Sequence, residues 1–271
     1  MIIDCHMHVD WQNHSADDAV RHMDRLGVDK AWTLTWQDRD AGLHPWNYCH
    51  LSPESVMRAY RKHPDRIIPF CGIDPRRENA ERLLRDLVDQ GCRGYGEIKL
   101  RLMADNCDLI ELYQVCAELK LPVLIHIDVP LPHTRMWYAG GVDPLERALI
   151  QCPRTTFVGH GPGFWREISG NAHRTTKGYP KGKVTPGGKV PRLLARYRNL
   201  YADLSANSGL NALRRDKRHA RKFLARFPKK ILYGTDGFDR NHLDFLESLD
   251  LDRTVLNNIL GRNAARLVPS S

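Results

Sequence analysis

At 271 residues with a formal net charge of +9, the chain is long for one average domain, is the usual size of a single α/β barrel, and can bury a large core. It opens without a basic stretch ahead of an apolar one and has no apolar run of bilayer-spanning length, which argues against a membrane protein and reads as cytoplasmic. Seven scattered cysteines without a Cys-x-x-Cys suit reduced thiols, with Cys71 and Cys116 in the core, and the positive charge favours acidic partners without choosing carboxylate, phosphate or nucleic acid.

The chain begins with a strand, Ile2-Ile3-Asp4-Cys5-His6-Met7-His8, in which the two histidines face the same way because strand side chains repeat every second residue. A helix over 15–26, closed by Gly27, leads to a second strand over 30–36 and a loop with Pro45 and Trp46. Ser52-Pro53-Glu54 opens a helix that stops at Pro64, and a third strand covers 67–73. A helix over 75–90 ends at Gly91, and the fourth strand, 94–100, carries Glu97 and Lys99. The second half repeats the unit: helix 108–119, strand 121–128, helix 143–150 and strand 155–160. A Gly/Pro/Lys-rich loop insertion at about 161–198 precedes strand 200–204, a basic helix over 212–227, strand 231–235 and C-terminal helices. Eight such alternations argue for one domain, a (β/α)8 TIM barrel spanning 1–271. No Gly-x-Gly-x-x-Gly follows a strand, which counts against a dinucleotide fold.

His6, His8, Glu97, His126, His160 and Asp236 all fall at the carboxyl ends of strands, the face on which such barrels build active sites. Each alone has a plain alternative as a hydrogen-bonded core group, an ion-pair partner or, for Asp236, a helix cap. Four histidines and two carboxylates at one end of separate strands make the ligand set of a one- or two-metal hydrolytic site.

This order of residues resembles the amidohydrolase superfamily, in its amidohydrolase-related (amidohydrolase 2) branch. Gly96-Glu97-Ile98-Lys99, Leu121-Pro122-Val123-Leu124-Ile125-His126, Phe157-Val158-Gly159-His160, Asn199-Leu200-Tyr201-Ala202-Asp203-Leu204-Ser205 and Tyr233-Gly234-Thr235-Asp236 carry the likeness over nearly the whole chain. It implies a divalent cation, zinc first and manganese second, held by His6, His8 and Asp236. His126 would join that ion or, with His160, bind a second. Where many two-metal members bridge with a carboxylated lysine, this chain has Glu97, the preferred bridge, and Lys99 two residues on. The ion would activate a water, Asp236 would carry its proton to the leaving group, and His160, if not a ligand, would steady the oxyanion.

At the substrate end, Trp165 and Arg166, with Arg174, Lys177, Lys181, Lys183 and Lys189, suggest a lid meeting a small anionic substrate, helped by Lys99 and Arg101. A solvated basic loop making homo-oligomer contacts is the equal alternative. The run from Arg214 to Lys222 reads as a charged outer helix face rather than a nucleic-acid patch, because Phe223, Leu224 and Phe227 supply an inward side. Trp36, Trp46 and Trp137 read as packing or pocket lining, and His14, His44, His133 and His173 as surface loop residues. Three functions compete: hydrolysis of a small carboxylate-bearing lactone, amide or related C–O/C–N bond; decarboxylation or hydration on the same site; and, third, a metal-dependent nuclease. A nuclease branch with His-x-His and Gly-Glu-Ile usually continues differently where this chain has Lys99-Leu100-Arg101 and Asp236-Gly237-Phe238.

Overall fold

The computed structural model describes residues 1–40, 50–129 and 138–269. His44, Pro45, Trp46, His133 and Trp137 lie outside the described residues. Eight parallel strands follow one another: β1 (Ile3–Met7), β2 (Lys30–Leu34), β3 (Ile67–Phe70), β4 (Tyr95–Ile98), β5 (Val123–His126), β6 (Phe157–His160), β7 (Leu200–Asp203) and β8 (Ile231–Leu232). They pair as one three-stranded and one five-stranded arc, each in chain order. Backbone hydrogen bonds join the arcs at both seams. Arg93 N donates to Pro69 O (2.8 Å) and Cys71 N to Gly94 O (3.0 Å) between β3 and β4, and Cys5 N donates to Tyr233 O (2.9 Å) between β1 and β8. The result is the expected TIM barrel. Its strands read as near-continuous apolar runs because both faces are covered.

Two apolar layers divide these strands. The larger packs the barrel wall against the surrounding helices. The smaller gathers Ile3, Trp32, Phe70, Leu124, Val158 and Leu232 from six strands, with the partly buried Tyr201 of β7 against them, Ala264 from a helix over Asn263–Leu267 and Val268 just after it. On β5, β6 and β7 the partners two residues further on are His126, His160 and Asp203. Period-two alternation therefore places an apolar floor beneath a polar upper layer. Parallel pairing falls out of register within β1, between Asp4 and Met7, and within β4, between Tyr95 and Ile98. Such irregularities re-aim a side chain, and these flank His6 and Glu97.

The helices follow local chemistry. Ser15 and Asp18 form a reciprocal capping box on α1 (Ala16–Leu26), which Gly27 ends at φ 68°, a left-handed turn open to glycine. Ser52 caps α2 (Pro53–Lys62). α3 (Ala80–Asp89) starts later than the expected residue 75, because the Asp74 carboxylate accepts from Arg39 N and from the Arg76 backbone and guanidinium, tying the chain into a turn there. α4 (Cys107–Glu118) and α5 (Val142–Gln151) match expectation closely. Residues 161–198 are not one loop: they contain α6 (Pro162–Arg166), a short 3-10 turn (Ala172–Arg174) and α7 (Lys189–Arg196). The basic helix is two, α8 (Ala206–Arg214) and α9 (Lys217–Arg226), separated where the Asp216 side chain accepts from His219 N and caps a new start. No helix among the described residues is long and apolar enough to cross a membrane.

Candidate metal centre

The end of β1 presents His6, and His8 follows just past it; β4 presents Glu97, β6 His160, and the turn after β8 Asp236. Asp236 is held there by its own N–H, which donates to His6 O at 2.8 Å. His6 Nε2 lies 3.2 Å from His8 Nε2, 3.9 Å from Glu97 Oε2 and 3.7 Å from Asp236 Oδ1. His8 Nε2 lies 3.7 Å from Glu97 Oε2 and 3.3 Å from Asp236 Oδ1. Tetrahedral ligands at zinc bond lengths sit roughly 3.4 Å apart, so His6, His8 and Glu97 have the spacing of one coordination sphere, with Asp236 Oδ1 close to both imidazoles.

Two features show that a cation fits. His6 Nδ1 is 2.7 Å from Asp203 Oδ2, and His8 Nδ1 is 2.8 Å from Leu34 O. Both acceptors require a proton on Nδ1, so the two Nε2 atoms face each other with a single proton or a cation to share. Such a contact repels unless a cation or a proton lies between them. Among the described residues Glu97 Oε2 is also buried without a hydrogen bond, with Lys99 Nζ 3.9 Å away, a costly state for a carboxylate oxygen that a closer cation would relieve.

The electrostatics agree. Burial opposes charging His6, but the Asp236, Asp203 and Glu97 carboxylates outweigh it and raise its pKa to about 10. Against the same burial, His6 and His8 hold Asp236 well below the usual carboxylate range, His6 and His160 do so for Asp203, and Lys99 and His126 do so for Glu97. Three ionised carboxylates thus surround His6, Glu97 and Asp236 at Nε2 and Asp203 at Nδ1.

On the far side of Glu97, His126 Nδ1 lies 2.6 Å from Oε1, and His160 Nε2 lies 3.8 Å from the same oxygen. Glu97, His126 and His160 could hold a second ion. His126 Nε2 also faces Asp128 Oδ1 at 3.4 Å, so this imidazole stands between two carboxylates. Burial lowers its pKa, and Glu97 and Asp128 more than reverse that.

Lys99 lies beside the centre, its Nζ 3.9 Å from Glu97 Oε2 and 4.8 Å from the Trp36 ring centroid. A cleft of about 160 Å³ opens from His8 and Asp236 between Lys99, Trp36, Trp11 and Phe238. Arg101 is half-buried after β4 and is not among the residues lining the cleft. The structure places Trp165 and Arg166 elsewhere than the substrate-facing position expected of them. Trp165 is buried, donates its indole N–H to Asp203 O at 2.7 Å, and packs on Phe164 and Phe223. Arg166 donates to Ala172 O and Thr175 O, pinning the segment after α6. Lys189 is paired with Asp143 at 2.7 Å.

Four residues not anticipated as site residues support the centre. Asp203 accepts from His6, and its Oδ2 also lies 3.0 Å from His160 Nδ1; Ser205 Oγ is 3.0 Å from the same nitrogen and donates to Asp203 at 2.7 Å. Asp4 accepts from His6 N (2.9 Å), Thr235 N (3.1 Å) and Thr235 Oγ1 (2.7 Å), while burial raises its pKa to about 7. The fourth is Asp128. The signal for Asp4 and Asp128 was a carboxylate two residues from a candidate ligand on its strand; for Asp203 it was the carboxyl end of strand seven.

Comparison with known proteins gives a concordant result. The family model described as amidohydrolase matches residues 3–269. No curated protein sequence matches. Among solved structures, an uncharacterised TIM-barrel protein of Bordetella bronchiseptica is similar at TM-score 0.65 and 18% identity, covering 93% of this chain and 82% of its own. A probable 2-pyrone-4,6-dicarboxylic acid hydrolase of Acinetobacter baumannii, with citric acid bound, gives TM-score 0.64 at 14% identity over 98% of each chain. A dihydroxybenzoic acid decarboxylase of Polaromonas, with bound manganese and the inhibitor 2-nitroresorcinol, gives TM-score 0.58 at 16% identity, covering 98% of this chain and 96% of its own. At these identities the likeness establishes the fold.

Proposed function

Because the chain belongs to the amidohydrolase family, and so is an amidohydrolase-like enzyme, we propose that it is a metal-dependent hydrolase of a small, carboxylate-bearing lactone, amide or related C–O/C–N substrate. The observation that carries this reading is the pair of Nε2 atoms on His6 and His8, 3.2 Å apart and turned towards a Glu97 oxygen that makes no hydrogen bond among the described residues. His6, His8, Glu97 and Asp236 would hold one divalent cation, zinc or, as in the Polaromonas decarboxylase, manganese. Glu97, the residue preferred for bridging, would share any second cation with His126 and His160. When bound, the cation supplies Lewis acidity and brings the pKa of water towards neutral.

The chain's own residues supply the rest of the chemistry. Asp236, kept ionised by His6 and His8, accepts the proton of the attacking water at a carboxylate oxygen and returns it to the leaving group. His160 donates its Nδ1 proton to Asp203 and Ser205, so its Nε2 is a lone pair that would serve as a ligand at the second position and has no proton for an oxyanion. Lys99 pairs with the substrate carboxylate. We place the enzyme in the cytoplasm.

The position of His126 between Glu97 and Asp128 favours a second reading. An imidazole charged by two carboxylates can give a proton to carbon, which a decarboxylase or hydratase requires. Product analysis on a panel of lactones, amides and aromatic acids separates the two: a new carboxylate without gas evolution supports hydrolysis, and carbon dioxide supports decarboxylation. Protein purified without chelator should carry at least about one metal equivalent. Absence of metal, with none taken up from added zinc or manganese, would overturn both readings.

A further inference from the structure

On the reading just given, the cleft beside His8 and Asp236 receives the substrate, and its composition bears on which acids it accepts. One wall carries Lys99, whose Nζ stands 4.8 Å from the Trp36 ring centroid. His14 also lines the cleft. Its ring lies 3.8 Å from that of Phe238 and within 13° of parallel. His22, buried behind, has its ring 5.1 Å from Phe238, so Phe238 is packed on both sides and His14 rests on a fixed surface.

The backbone ahead of His14 is strained. Asp10, Gln12 and Asn13 have φ of 54°, 51° and 63°, a left-handed conformation that Asp and Asn tolerate and that is costly for Gln12. Asp10 N donates to His14 O (2.8 Å) and His14 N to Trp11 O (2.9 Å), locking the turn. A plain surface turn has cheaper solutions with glycine. Strain of this kind persists where it places a side chain that has work to do. The buried Nδ1 of His14 has no hydrogen-bond partner among the described residues. Burying an unbonded N–H costs more than leaving a bare lone pair, so the proton belongs on Nε2, and the ring keeps one N–H donor.

We propose that His14 is a substrate-binding residue that selects acids bearing a second oxygen acceptor, donating to that acceptor while Lys99 holds the carboxylate. The inference rests on the proposed function but not on which bond is broken. Metal-loaded protein titrated calorimetrically with benzoate and with isophthalate tests it. The wild type should prefer isophthalate by about tenfold, as one hydrogen bond to a charged acceptor predicts. His14→Phe keeps the stack on Phe238 and removes the N–H. Its preference should fall below about twofold, with benzoate affinity and metal content unchanged, and His14→Gln, a donor without the ring, should restore part of it. A wild type without the preference, including one that binds neither acid, or a preference retained in His14→Phe, overturns the assignment. Loss of the functional reading shows separately, as protein that takes up no metal.

Discussion

His6 and Asp203, 197 residues apart in sequence, meet at 2.7 Å through Nδ1 and Oδ2. The contact fixes which nitrogen of His6 carries the proton and turns the other towards Glu97, His8 and Asp236. A histidine oriented in this way commonly loses about 10- to 100-fold in metal affinity when its partner is removed. Asp203→Ala should therefore weaken metal binding by that factor, measured by competition with a chromogenic chelator. Affinity within twofold of wild type would remove Asp203 from the centre.

Glu97→Gln tests the lone carboxylate oxygen. The amide keeps the volume and loses the charge, so metal content should drop while the far-ultraviolet dichroism stays that of the parent. Full metal occupancy in this variant would show that Glu97 is not a ligand.

His6 makes the centre sensitive to pH. In metal-free protein its pKa is raised from 6.5 to about 10. The folded state then binds more protons than the unfolded state between these values, so this contribution to stability is complete below pH 6.5 and is lost as pH rises through 10. Metal binding must displace that proton. Affinity should rise with pH over the same window by about tenfold per unit for one proton released, read as buffer-dependent heat in calorimetry. A flat pH profile between 7 and 9 would contradict it.

Lys99→Ala should raise KM for a carboxylate substrate by about tenfold and leave metal content intact, since Nζ is 3.9 Å from Glu97 but offers no lone pair to a cation while protonated. An unchanged KM would assign Lys99 to charge balance around Glu97 alone.

Trp165→Phe should cost about 2 kcal/mol of stability, from a lost hydrogen bond to Asp203 O and a small cavity, without a change in KM. Thermal melting and steady-state kinetics read the two effects separately, and a raised KM would return Trp165 to the pocket.

The barrel and the convergence of His6, His8, Glu97, His126, His160 and Asp236 were legible in the sequence because strand ends in this topology share one face. Asp203 was visible at the carboxyl end of strand seven, but its role depends on contact with His6 of β1, which no local pattern reports. Trp165 and Arg166 were misplaced for a related reason. Their residue types suit a substrate lid, but the direction in which the five-residue helix α6 points them is set by tertiary contacts with Asp203, Ala172 and Thr175. The start of α3 escaped because the Asp74–Arg76 turn competes with helix formation through side chains that favour either state.

The seam between β1 and β8 has a consequence for biosynthesis. His6 and His8 leave the ribosome more than two hundred residues ahead of Asp236 and of the Tyr233 carbonyl that receives Cys5 N. Until then the nascent chain holds an open curl of strands with an incomplete set of donors. Ion capture therefore waits for β8, and a truncated product lacking β8 would be expected to neither close nor load.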